Sequence, residues 1–130
     1  MTEVNNDTII IFAGYTDVME KFFSDSNPGL RSRISHVFKF EDFTNDELTE
    51  IFRRKLVEED YIISEDAFAQ AKAYFASLKR GKCFSNARES EILLLKVKAN
   101  QARRLATMTN PSTEDVLTIL PQDIPVKNAE

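Results

Sequence analysis

The chain has 130 residues, of which 42% are hydrophobic and 29% are charged, a balance typical of a globular domain rather than of a disordered chain. Its formal net charge of −4 argues against a general nucleic-acid surface as the main function. No apolar run approaches the roughly 20 residues of a membrane-spanning helix, and the polar first residues do not predict a signal peptide.

The charge is unevenly distributed along the chain. Residues 40–70 carry ten acids and three bases, and residues 71–104 carry nine bases and two acids, so the two segments have net charges of −7 and +7. This asymmetry predicts either a surface for a partner or helical faces that attract each other or face solvent, and the sequence leaves both interpretations open.

The chain contains one cysteine and one histidine, Cys83 and His36. A single cysteine cannot form an internal disulfide, so a reducing compartment fits best. One residue of each type does not predict a zinc site or any other metal site. We expect a structural or exposed role for His36 and no catalytic role for Cys83.

The first predicted element is a strand over residues 8–13. Residues 9–12 are continuously apolar and rich in isoleucine, which is typical of a strand buried on both faces of a parallel sheet. Residues 18–23 have the apolar spacing of a short helix, residues 27–29 predict a turn, and residues 36–43 alternate like a second strand. This part looks incomplete, because a fully apolar strand needs neighbours.

The remainder of the chain predicts helices. Thr44 and Glu47 form a capping box, which indicates the start of a helix that ends near residue 60. Ser64 is suited to be the N-cap of a second helix. Gly81 is suited to the C′ position that would end it.

A third, long helix is predicted to start near Ser85 or Asn86 and to run to about Met108, before a proline and a serine close it. Residues 116–120 predict another short strand, and residues 121–124 predict a single final turn.

The motifs that usually bind phosphate through backbone amides are missing from these residues. There is no Gly-x-x-x-x-Gly-Lys-Ser/Thr loop and no Gly-x-Gly-x-x-Gly, and the glycines are only three in number. The spacing does not suggest a Ser-His-Asp set either. A phosphate cradle is therefore not encoded in this sequence.

Three arginines are candidates for binding an anion. Arg31 and Arg33 alternate on a predicted turn or extended segment, so they point in different directions; a rigid arginine there can reach a neighbour's phosphate, and the alternative is a pair of surface arginines. Arg88 lies in the first turn of the long helix, where a cation opposes the macrodipole. An external anion would explain that position, and the alternative is a salt bridge to Glu89 or Glu91.

Several motifs occur in a characteristic order. They are I-I-I-F-A-G-Y at 9–15, M-E-K-F-F at 19–23, S-N-P-G-L-R-S-R-I at 26–34, F-E-D-F at 40–43, F-S-N-A-R at 84–88, N-Q-A-R-R-L at 100–105 and L-T-I at 117–119. In combination they resemble the CbxX/CfxQ family of AAA+ ATPases, which includes the red-type Rubisco activase and the stage V sporulation protein K. The resemblance covers roughly residues 8–125.

The resemblance implies a mainly helical fold with short strands, the C-terminal portion of an AAA+ module. Residues 1–43 would be a remnant of the α/β nucleotide-binding subdomain, residues 44–125 the helical AAA+ lid, and residues 126–130 a tail. It also implies ATP as the cofactor, with Mg²⁺ in an intact module. Expected partners are other AAA+ subunits in a homo-oligomeric, hexameric ring and a protein substrate for chaperone-like work, with no nucleic acid and no membrane, in the cytoplasm or the plastid stroma.

The resemblance also implies roles for individual residues. Sensor 1 would lie at the end of the first strand, around Tyr15 or Thr16. Arg31 and Arg33 would form the arginine-finger segment that acts on ATP of the adjacent subunit, with Arg33 favoured as the finger. Arg88 would be sensor 2, which contacts the nucleotide from the lid.

The sequence departs from the family pattern near Arg88. Glu91 stands where the family usually has an arginine, and Ser85 replaces the usual glycine. The alternative to nucleotide contact by Arg88 is therefore that Glu91 pairs with Arg88 and withholds it from nucleotide. The leading hypothesis is an ATP-sensing, finger-supplying fragment that does not hydrolyse ATP alone. The alternative is a non-catalytic helical module for protein interaction or subunit docking.

Overall fold

A computed structural model describes residues 7–82 and 84–126 of the chain. It divides the chain into two compact units, one that ends at Glu41 and one that begins at Asp42. Cys83, for which we expect no catalytic role, lies outside the described residues.

The first unit contains two helices, α1 at Thr16–Asp25 and α2 at Pro28–Ser32. The Asn27 side chain accepts a hydrogen bond from the backbone N–H of Gly29 at 3.0 Å and thereby caps α2. A proline follows at the first helical position, where its missing N–H costs nothing. The turn predicted at residues 27–29 is therefore the start of a short helix.

The prediction of two strands, over residues 8–13 and 36–43, is wrong. Neither segment belongs to the one sheet found among the described residues. A strand is defined by hydrogen bonds to a neighbouring strand, and neither segment has such a neighbour in the part of the chain that the structure describes. As a result Ile9 is 87% exposed and Ile11 is 83% exposed.

The second unit begins with helix α3, Asn45–Glu58. The Thr44 hydroxyl accepts from the backbone N–H of Glu47 at 3.2 Å, and the Glu47 carboxylate accepts from the backbone N–H of Thr44 at 2.8 Å. These two bonds satisfy donors that the helix itself leaves free. The predicted capping box is thus confirmed.

Helix α4 spans Glu65–Ala76, and the hydroxyl of Ser64 caps it by accepting from the Ala67 N–H at 3.2 Å. The predicted cap at Ser64 is confirmed, but the predicted end at Gly81 is wrong. The helix ends earlier because Ser77 takes over as C-cap, with its hydroxyl donating to the Tyr74 carbonyl at 2.6 Å.

Helix α5 spans Ala87–Ala106 and is the long helix that the sequence predicts. A short helix, α6 at Thr113–Leu117, follows it. Strand β1 at Ile62–Ile63 pairs in parallel with strand β2 at Thr118–Ile119. A single 3₁₀ turn, Pro121–Asp123, confirms the predicted final turn.

The core of the second unit lies between α3, α4 and α5. The rings of Phe52 and Phe75 meet edge to face with centroids 6.4 Å apart. The strand pair and the 3₁₀ turn close the core from the other side. The buried apolar side chains are Leu48, Phe52, Leu56, Ala67, Ala71, Tyr74, Phe75, Leu93, Leu94, Val97, Ile119 and Ile124.

The predicted fold class, mainly helical with short strands, is confirmed. No helix among the described residues is long and apolar enough to cross a membrane. Residues 7–82 and 84–126 also contain no group of three or more His, Cys, Asp or Glu side chains that could hold a metal ion.

Candidate functional site

The start of helix α5 is the candidate site in the second unit. Arg88 is the second residue of the helix, and its side chain is exposed. Asn86, the N-cap residue, makes no side-chain bond to the first turn of its own helix. The amide groups of this turn therefore have no side-chain cap from Asn86, and they lie on the same turn as a guanidinium group.

The Arg88 side chain makes no hydrogen bond, ion pair or ring contact with any other residue that the structure describes. The alternative pairing of Arg88 with Glu91 is not found in the structure. The Glu91 carboxylate instead accepts from Lys55 Nζ of α3 at 3.1 Å. The alternative partner, Glu89, does not pair with Arg88 either.

This arrangement can bind an anion. A helix N-terminus carries partial positive charge, although the N–H groups of Arg88 and Glu89 already donate to the carbonyls of Ser85 and Asn86 at 3.1 and 2.9 Å. A guanidinium group adds up to two parallel hydrogen bonds to a phosphate or carboxylate. Because Lys55 holds Glu91, the carboxylate nearest in sequence on the following turn does not neutralise Arg88.

A second group of side chains, which we call the linker clamp, surrounds the residues just before α3. Asn86 Oδ1 accepts from the backbone N–H of Phe43 at 2.8 Å, and Asn86 Nδ2 donates to the Asp42 carboxylate at 2.8 Å. Arg80 donates to the Phe43 carbonyl and, at 2.8 Å, to the Asn45 side chain. The linker clamp consists of Arg80 and Asn86 together with Asp42, Phe43 and Asn45.

The linker clamp was not predicted from the sequence. Arg80 and Asn86 bind residues 35 to 44 positions away, and such long-range pairs leave no periodic signal. One local signal did exist, since asparagine tolerates positive φ better than most residues. Asn86 has φ 49° and ψ −123°.

The two candidate finger residues lie at the end of α2 in the first unit. Arg31 is in its last turn, and Arg33 is its C-cap residue with helical backbone angles. The prediction of an extended or turn segment is therefore wrong for Arg31. The two side chains still diverge, because residues two apart on a helix do not face each other.

The two arginines differ in their surroundings. The guanidinium carbon of Arg31 lies 5.3 Å from the centroid of the Phe23 ring, a cation–π contact that holds this side chain against α1. Arg33 is exposed and makes no side-chain contact of this kind within the described residues. Arg33 is thus the freer of the two.

The two candidate sensor residues are adjacent at the start of α1. Tyr15 is the N-cap residue of this helix and is 60% exposed, and Thr16 is its first residue. They were predicted at the end of a strand. That setting is wrong, because residues 7–14 form no strand, although both residues are exposed at the start of the helix.

Ion pairs join the acidic segment to the basic one inside the second unit. Lys72 Nζ lies 2.6 Å from the Asp46 carboxylate, and Lys98 pairs with Glu59. The hydrogen bond to Glu59 raises the pKa of Lys98. Part of the charge asymmetry is therefore used within the fold, which agrees with the interpretation of helical faces that attract each other.

Comparison with known proteins places these features in a family. The family model described as "AAA lid domain" matches residues 44–130. The chain is 35% identical over 126 residues to a protein CfxQ homolog of Pyropia yezoensis. This match covers 95% of this chain and 42% of that protein. It is 37% identical over 110 residues to the protein CbbX of Cereibacter sphaeroides, which covers 85% of this chain and 35% of that protein.

A third relative is the chloroplastic ribulose bisphosphate carboxylase/oxygenase activase of Cyanidioschyzon merolae, 36% identical over 126 residues. The match covers 95% of this chain and 43% of that protein. The chain thus spans about two fifths of the length of the curated relatives it matches. On the family model and these identities together, the chain belongs to the AAA lid domain family and is of the CbxX/CfxQ type.

Proposed function

We propose that this chain is the lid and arginine-finger region of an AAA+ ATPase. It senses ATP through Arg88 and supplies Arg33 to the ATP of a neighbouring subunit. The observation that carries the proposal is the state of Arg88, which is exposed in the first turn of α5 and unpaired among the described residues. A cation in that place without an internal partner is explained by an external anion.

The residues at the start of α5 fit the phosphate groups of ATP. Arg88 can form paired hydrogen bonds to phosphate oxygens. The adjacent helix end favours the same negative charge, and the Asn86 side chain does not cap that end because it is directed to Phe43 and Asp42. When bound, ATP supplies the phosphoryl group for transfer, and Mg²⁺ accompanies it in a protein that also carries a phosphate loop.

Arg33 is proposed as the finger, with Arg31 beside it. Phosphoryl transfer develops charge on the oxygens of the transferred group, and an arginine supplied by a second subunit raises the rate by about 10³–10⁵. The contact of Arg31 with Phe23 supports Arg33 as the residue that reaches out. Arg31 would then position the segment and add positive charge near the same phosphates.

Tyr15 and Thr16 are proposed to form sensor 1. Their hydroxyl groups can donate to phosphate oxygens or orient a water molecule. The exposure of Tyr15 at the start of α1 supports this role, because the group is available to a ligand.

The proposed assembly is a homo-oligomeric ring, hexameric as the resemblance implies, that acts on a protein. One relative is named as an activase of ribulose bisphosphate carboxylase/oxygenase and as chloroplastic. We propose a carboxylase/oxygenase of that kind as the protein substrate of this chain. The proposed compartment is the cytoplasm or the plastid stroma. Neither nucleic acid nor a membrane has a role in this proposal.

The sensing role is tested by titrating the ¹⁵N-labelled chain with ATP and following its amide resonances. We expect shifts centred on residues 87–90 of the wild-type chain. Arg88→Ala should abolish them, because it removes the cation that binds phosphate. Arg103→Ala is the matched control, since it removes an exposed arginine from the last turn of the same helix and should leave the shifts in place.

A second candidate function is docking to another protein through α5. Leu95, on the outer face of this helix, is 69% exposed, so its side chain is available to a partner protein. The same titration separates the two functions. Shifts at Arg88 favour ATP sensing, whereas silence at Arg88 with ATP at saturating levels would contradict sensing and favour docking.

A further inference from the structure

The linker clamp binds the point at which the chain enters the second unit. That unit begins at Asp42, directly before the clamped residue Phe43. Side chains from the segment before α5 bind both polar groups of the Phe43 backbone. Asn86 binds its N–H, and Arg80 binds its carbonyl oxygen. The guanidinium of Arg80 also lies 4.5 Å from the centroid of the Phe84 ring, which fixes its direction.

Asn86 makes this contact with an unfavourable backbone conformation and without capping its own helix. With φ 49° and ψ −123°, its backbone is in a region that glycine adopts easily and other residues adopt only when their surroundings hold them there. Its side chain also leaves the first turn of α5 without a cap, although asparagine is among the best N-cap residues. A strained residue beside a candidate binding site points to a role in that site.

We propose that Asn86 is a positioning residue that couples anion binding at Arg88 to the linker segment at Phe43. The inference rests on the proposed function of Arg88. Asn86 is connected to both places, because its carbonyl accepts the N–H of Glu89 in the first turn of α5 at 2.9 Å while its side chain holds Phe43. A ligand that shifts this first turn must therefore shift Asn86, and through it the start of the lid.

The coupling acts in both directions. If ATP at Arg88 shifts the equilibrium between the clamped and the free linker by some factor, then the clamped and the free chain must differ in their affinity for ATP by the same factor. A clamp that only stabilised the fold would not respond to ATP. A coupling role therefore predicts that the Phe43 amide resonance shifts when ATP is added, and a purely stabilising role predicts no shift.

The test uses Asn86→Gly in the full chain. Glycine adopts the positive φ without strain, so the start of α5 is kept while the bonds to Asp42 and Phe43 are lost. Asn110→Gly is the matched control, because Asn110 is also an asparagine with positive φ, 53°, outside the linker clamp. The resonances of Leu93 and Val97, both buried in the core, verify that each variant is folded.

Each protein is titrated with ATP, and the amides of Arg88 and Phe43 are followed separately. In the wild-type chain and in Asn110→Gly we expect both amides to shift. In Asn86→Gly the Arg88 amide should still shift, with ATP affinity weakened about fivefold, the low end of measured couplings between sites. The shift of the Phe43 amide should be lost.

The outcomes separate this inference from the proposed function. Shifts at Arg88 without any shift at Phe43 in the wild-type chain would overturn the coupling and leave ATP sensing intact. Equal shifts at Phe43 in the wild type and in Asn86→Gly would also overturn the coupling. No shift at either amide would overturn ATP sensing, and the coupling with it.

Discussion

At the scale of single residues, the buried ion pair Arg104–Asp123 joins α5 to the end of the described chain. Arg104 donates to both carboxylate oxygens of Asp123 at 2.9 Å and to the Thr118 carbonyl at 3.1 Å. The Asp123 side chain is 1% exposed, so water does not screen it. The hydrogen bond to this carboxylate raises the pKa of Arg104.

We expect Arg104→Met to destabilise the fold by about 3 kcal/mol, because it leaves the Asp123 carboxylate buried without its cation. Arg103→Met, one residue earlier and exposed, should change the free energy of unfolding by less than about 0.5 kcal/mol. Urea unfolding followed by circular dichroism measures both. Equal losses in the two variants would show that the ion pair has no special importance.

A second prediction at this scale concerns pH. Hydrogen bonds from Arg53 and Arg54 lower the pKa of Glu50 from its ordinary value of 4.5 to about 2. A lowered carboxyl pKa means that the folded state favours the charged form, so the stabilisation is fully present above pH 4.5. It is lost as the pH falls through about 2.

Glu50→Gln removes this titration. We therefore expect the wild-type chain to have the higher melting temperature at neutral pH, and the difference from the variant to shrink between pH 4.5 and about 2. The difference should be small, because the Arg54 side chain is 72% exposed and the Glu50 side chain is 36% exposed, so that water screens the pair. A difference that stays constant from pH 7 to pH 2 would contradict the assignment.

The sequence predicted those residues whose role depends on near neighbours. Thr44 and Ser64 bond to amides three positions away, and both caps were predicted from that spacing. Asn86 and Arg80 bond to residues brought close only by the fold. The pairing of Glu91 with Lys55 across two helices was missed for the same reason.

At the scale of elements, helices were predicted well and strands poorly. A helix satisfies its own backbone bonds, so its sequence carries most of the information about where it forms. A strand depends on a partner strand. The isoleucine run at residues 8–13 has strand character without a partner, while β1 and β2 find each other although they have only two residues each.

The outer and inner faces of α5 make a further prediction at this scale. Leu93 is fully buried and Leu95, half a turn away, is 69% exposed. Leu93→Ala should therefore lower the free energy of unfolding by about 3 kcal/mol, through lost burial and a cavity. Leu95→Ala should change it by less than about 0.5 kcal/mol, and chemical denaturation distinguishes the two.

The Leu95 variant also serves as a check on the docking function. A loss of stability similar to that of Leu93→Ala would mean that the outer face of α5 is covered in the free chain. Its exposure would then no longer support a docking surface.

At the scale of the whole molecule, the candidate residues belong to both units. Tyr15, Thr16, Arg31 and Arg33 lie in the first unit and Arg88 in the second. The 130 residues contain no phosphate-loop motif. Under the proposed function, these residues act on nucleotide bound by a phosphate loop that the 130 residues do not contain, and Arg33 acts across a subunit boundary.

The central claim, action of Arg33 in trans, is tested most directly by mixing subunits of an AAA+ protein that carries this sequence behind a phosphate loop. One subunit carries Arg33→Ala, and the other has its phosphate-loop lysine replaced. ATP hydrolysis is measured for each alone and for mixtures, with Arg31→Ala as the matched finger control and the 130-residue chain alone as the blank.

We predict that each subunit alone is inactive, with hydrolysis lowered about 10³-fold or more, while ATP still binds to the Arg33→Ala subunit. Mixtures should recover activity, because an intact Arg33 then faces an intact phosphate loop. Full hydrolysis by Arg33→Ala alone, or no recovery in any mixture, would contradict the account.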